Sequence, residues 1–152
     1  MSRLKKVQKS TRSVKWELAP DIKKRSFELI GQFGLSWIKF ERLFFYRSYD
    51  SKARAYARTW GLPALWQRSL NVEPAYQIEV LAENFDKLSE ENRDKVILHE
   101  LSHIPKTFSG ALLPHTRHSK GSFHEKLDEL IENYYAEKRK GKKSFSIFKI
   151  RL

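Results

Sequence analysis

His99-Glu100-Leu101-Ser102-His103 sets two imidazoles four positions apart, with a carboxylate directly after the first. Residues four apart on a helix project from one face a turn apart, so both rings can converge on one tetrahedral Zn2+ at about 2.0–2.1 Å. The glutamate falls one position round the helix. There it is no ligand, but it can take a proton from a metal-activated water and pass it to a leaving amine. This is the residue pattern of metal-assisted hydrolysis. The plain alternative is two surface histidines at a helix end. Against it stands the clustering: the five histidines of the chain, His99, His103, His115, His118 and His124, all fall within 26 consecutive positions.

A catalytic zinc needs a third protein ligand and one open position. The extended spacing HExxHxxGxxH is not met, because Lys106 and Ser109 stand where glycine and histidine would be required. Glu125 or Glu129 could supply the ligand. His115 and His118 are better placed, since Pro105 and Gly110 let the intervening chain turn back over the metal. His124, beside an apolar stripe, reads as a boundary residue, and Arg117 as a solvated base.

The elements that must position these residues can be read from local signals. In "LSEENRDKVILHELSHIP", Ser89 suits an N-cap, Glu90 and Glu91 suit the positive end of the helix dipole, and Pro105 stops the helix. An earlier helix starts at Pro20 and Asp21, buries Ile22, Ser26, Leu29 and Phe33, and ends at Gly31 and Gly34. A last helix runs from about Ser122 through Tyr135, with Phe123, Leu127, Leu130, Ile131 and Tyr134 at helical spacing. "FERLFFYRSYD" and "ARAYARTWG" predict a hairpin turning at Ser48–Lys52. "AYQIEVLAENF" alternates Tyr76, Ile78 and Val80 against Gln77 and Glu79, and reads as a further strand. "GLPALWQRSLNVEP" reads as a loop.

The segment "VILHELSHIPKTFSGALLPHTRH", residues 96–118, resembles metallopeptidases of archaea and phages and, more distantly, the SprT-like zinc proteases. In those families a HExxH helix is followed by a short loop and a histidine that completes a three-histidine site. The resemblance implies metal ligands at His99, His103 and His115, with His118 as runner-up, and Glu100 as the catalytic base. It implies an α+β, minimal zincin-like domain in which a small antiparallel sheet packs on the active-site helix. An edge strand beside the cleft then binds a protein or peptide substrate, and the strand Tyr76–Leu81 is the expected one.

At 152 residues the chain can bury about two-thirds of its unfolded surface as one domain. Cysteine is absent, which excludes disulfides and thiolate zinc sites and leaves imidazole and carboxylate as ligands. No apolar run suits a signal peptide or a membrane span, so a cytoplasmic protein is expected. The net charge of +12 sits at the ends: residues 1–15 and 137–152 carry +6 each, and residues 16–136 balance 17 basic against 17 acidic residues. We read these as a basic disordered arm, the metallopeptidase domain and a basic tail. Such ends suit phosphate backbones. The rival to a peptidase is therefore a nucleic-acid- or ribonucleoprotein-binding module with a structural zinc site.

Overall fold

A computed structural model describes residues 13–115 and 121–141. His118, Arg117 and most of both basic ends, including Phe145 and Phe148, lie outside the described residues. The fold is α+β. Four strands, β1 (Lys15–Leu18), β2 (Leu43–Tyr49), β3 (Ala57–Gly61) and β4 (Tyr76–Leu81), form one sheet in the order β1-β2-β4-β3. Among the described residues, five α-helices accompany it: α1 (Pro20–Gln32), α2 (Ala64–Leu70), α3 (Ala82–Phe85), α4 (Glu90–Leu101) and α5 (Phe123–Arg139).

The sheet is mixed, not antiparallel as expected. β2 runs parallel to β4 from Leu43↔Tyr76 to Ser48↔Leu81, whereas β1–β2 and β3–β4 are antiparallel. The expected hairpin is absent because β4 lies between β2 and β3. A tight hairpin needs a short loop of defined turn type, and here residues 50–56 carry the chain across instead. β4 takes the centre for a physical reason: Tyr76, Ile78 and Val80 are all fully buried, which only a strand covered on its edges and its core face achieves. It therefore cannot accept an added strand, and the edge beside the helices is β3.

Helices α1 and α4 cover one face of the sheet, and α5 packs on α4. The predicted face of α1 is buried as read, with Ile22, Ser26, Leu29 and Phe33 inside. Gly31 stays within its last turn, and Gly34, at φ +68°, redirects the chain after it. Ser89 Oγ accepts from the Asn92 amide, the expected cap, and Ser122 Oγ accepts from the Glu125 amide at the start of the last helix. The predicted loop at 61–74 contains α2, which buries none of its residues and hence shows no helical apolar stripe. The three covering helices are joined through Asp94 of α4, which takes a bidentate pair from Arg25 of α1 at 2.8 and 2.6 Å and the hydroxyl of Tyr135 of α5.

Candidate metal centre

His99 and Glu100 stand in the last turn of α4, and His103 just beyond its end. The turn tightens there: His103 N–H donates to the Glu100 carbonyl at 3.2 Å and Ile104 N–H to that of Leu101 at 3.1 Å. The two rings of the motif lie 5.0 Å apart between centroids.

The chain returns to them through a loop fixed at several points. Phe108 and Gly110 adopt positive φ, +47° and +92°. Gly110 N–H donates to Tyr76 Oη at 2.7 Å, and that hydroxyl donates to the Ala111 carbonyl at 2.8 Å. Leu113 then clamps His103 twice, its N–H donating to the His103 carbonyl and its own carbonyl facing His103 Nδ1, both at 2.8 Å. Two residues on, His115 stacks on His99 with centroids 4.7 Å apart and meets His103 edge-on at 4.3 Å. One ligand atom from each of His99, His103 and His115 falls within 4.8 Å of the others, and among the described residues this is the only such group.

The donor set fits a transition metal of the zinc type. It offers three imidazole nitrogens and no thiolate. A carbonyl can only accept, so Leu113 requires the His103 proton on Nδ1 and frees Nε2 as a ligand. Burial lowers the His99 pKa, and the neighbouring His103 and His115 lower it further against an opposing pull from Glu100, which favours the neutral, metal-binding ring.

Glu100 is held by a residue that no local signal identifies. Thr59 Oγ1 of β3 lies 2.7 Å from Glu100 Oε2 and 2.8 Å from the Glu100 carbonyl. The two residues are 41 positions apart, so the contact is invisible in any window of sequence. A cleft of about 470 Å³ opens beside them, lined by Tyr56, His99, Glu100 and His115 among others. Glu125 and Glu129 are not in the cluster. His124 is nearby, its Nδ1 at 2.7 Å from Ser102 Oγ, but its ring stands 6.4 Å from His99 and 6.2 Å from His115, and it falls outside the group of three.

No curated protein and no solved structure matches this chain. One protein family does, described as "Putative phage metallopeptidase", over residues 14–142. That span runs from the first strand to the end of the last helix and includes every member of the three-histidine cluster, so the chain belongs to this metallopeptidase family.

Proposed function

We propose that the protein is a zinc-dependent peptidase that hydrolyses peptide bonds by direct attack of water, without a covalent enzyme intermediate. His99, His103 and His115 would hold the metal. Bound there, zinc supplies a Lewis acid that brings the pKa of a coordinated water to about 7. Glu100 is the general base: Thr59 engages Oε2, so Oε1 is the oxygen left to take the water's proton and hand it to the departing amine. The substrate lies along β3, the edge strand flanking the cleft, as an added strand.

The observation that carries this reading is the Thr59–Glu100 contact, which fixes a carboxylate in the cleft shared with His99 and His115. The test is Glu100→Gln, which keeps size and helix propensity but removes the proton acceptor. Zinc content should stay at one equivalent while cleavage of casein or a peptide library falls by about 10²–10⁴-fold. Equal rates in the two proteins would overturn the assignment. In the rival reading the zinc is structural and the basic ends bind nucleic acid; Glu100→Gln would then change nothing measurable.

A further inference from the structure

The face of the sheet turned away from the helices carries a second site. Register and strand alternation place Trp16 and Leu18 of β1, Phe44 and Tyr46 of β2, Gln77 and Glu79 of β4, and Arg58 and Trp60 of β3 on it. Most of this face is open apolar surface, with Trp16 62%, Leu18 74% and Trp60 49% exposed. Glu79 is buried within it. Its residue is only 4% exposed, yet its carboxylate has no cationic partner among the described residues. It receives instead two indole donors from the two edge strands, Trp16 Nε1 at 3.2 Å on Oε1 and Trp60 Nε1 at 2.8 Å on Oε2. Arg58, directly opposite it on β3, forms no ion pair with it. The carboxylate forms the floor of a hollow of about 420 Å³ walled by Trp16, Tyr46, Trp60 and Gln77.

A buried carboxylate is costly unless it is compensated by a cation or by strong hydrogen bonds, and each oxygen here keeps a lone pair beyond its indole bond. With their N–H groups committed to Glu79, the indoles have their π-faces left to contribute, and aromatic faces attract cations. The exposed Leu18 and Phe44 extend the wall with surface that suits an aliphatic stem. We propose that this hollow binds the cationic head of a lysine or arginine side chain on a protein partner, the head on Glu79 and the stem along the aromatic wall. Neighbouring β3 residues point to opposite faces, Thr59 to Glu100 and Trp60 to Glu79, so the partner docks on the back of the strand that flanks the metal cleft.

The chain has four tryptophans, and their indole N–H signals in a ¹⁵N-labelled protein give a direct readout. The probes are n-butylammonium and n-propylguanidinium, with 1-butanol and n-propylurea as uncharged counterparts of the same shape. Both cations should produce saturable shifts at Trp16 and Trp60 and none at Trp37 or Trp66, and the neutral compounds should bind about tenfold more weakly or not at all. Glu79→Gln should cost the cations about tenfold in affinity and leave the neutral compounds unaffected. Equal shifts from charged and uncharged probes, or from a neutral oligosaccharide in place of the cations, would overturn the proposal. So would the absence of any shift at saturating cation. The comparison of probes on the unmodified protein needs no variant to fold.

Discussion

Thr59 places its hydroxyl on the carboxylate of a residue 41 positions away. The contact holds the Glu100 carboxylate and involves none of the three clustered histidines. Thr59→Val, of nearly the same shape, should leave zinc affinity within about twofold and lower kcat by about 10-fold to 100-fold, with Thr59→Ser restoring most of the loss. Equal kcat in the valine variant would mean that Glu100 is oriented by something else. His99 makes a separate prediction. Burial holds its pKa below the usual histidine value in the folded chain, and His124 is lowered for the same reason. On acidification the unfolded chain therefore binds these protons first, and the folded state loses stability as pH falls from about 6.5 toward the lowered folded values. Thermal melts of metal-free protein should show a Tm that is flat above about pH 7 and declines below it. A Tm unchanged down to about pH 5 would contradict the burial of these rings.

At the scale of elements, the loop joining α4 to His115 matters as much as the helix. Gly110 sits at φ +92°, and a Cβ there would meet the Leu62 carbonyl oxygen at 2.2 Å and Gln67 Nε2 at 2.3 Å. No L-residue fits without moving backbone. Gly110→Ala should therefore cost about 1–3 kcal/mol in denaturant unfolding. It should also weaken metal binding about as much as His115→Ala, because it displaces His115, the one member of the three-histidine cluster carried by the loop rather than by α4 and its final turn. Zinc titration against a colorimetric chelator measures the second effect. Retained affinity in Gly110→Ala would show that the loop tolerates the shift. The same scale explains why β4 takes the centre of the sheet. Its Gln77 and Glu79 look like a solvent-facing row in sequence, but Glu79 is buried by two tryptophans drawn from other strands.

Across the whole molecule, charge and chemistry are separated. Residues 1–12 and 142–152 carry five and four basic residues and no acidic ones, while the three-histidine cluster lies within residues 16–136, where 17 basic balance 17 acidic residues. We propose that these ends bind phosphate backbones. Binding to single- or double-stranded oligonucleotides should be nearly independent of sequence and, for about six to ten phosphate contacts, fall by about 10³–10⁵-fold between about 50 and 200 mM salt. Deleting both segments should abolish it and leave zinc content unchanged, since neither contains a candidate ligand. Absence of binding at low salt would rule out this role. No helix among the described residues is long and apolar enough to cross a membrane.

The sequence by itself determined what local physics controls. Ser89 and Ser122 cap their helices because a short polar side chain can reach a free amide three residues on, and α1 and α5 bury their apolar stripes because helical periodicity demands it. The HExxH spacing likewise brings His99, Glu100 and His103 together through the last turn of α4 and the tightened turn that continues it. Tertiary structure alone decided the strand order, the helix α2 with no buried face, and every contact that crosses between elements. Strand pairing depends on which strand can be covered from both sides, and that is a property of the assembled core rather than of any stretch of chain. For the same reason Thr59 beside Glu100, Leu113 on His103 and two indoles on Glu79 exist only once the chain has closed on itself.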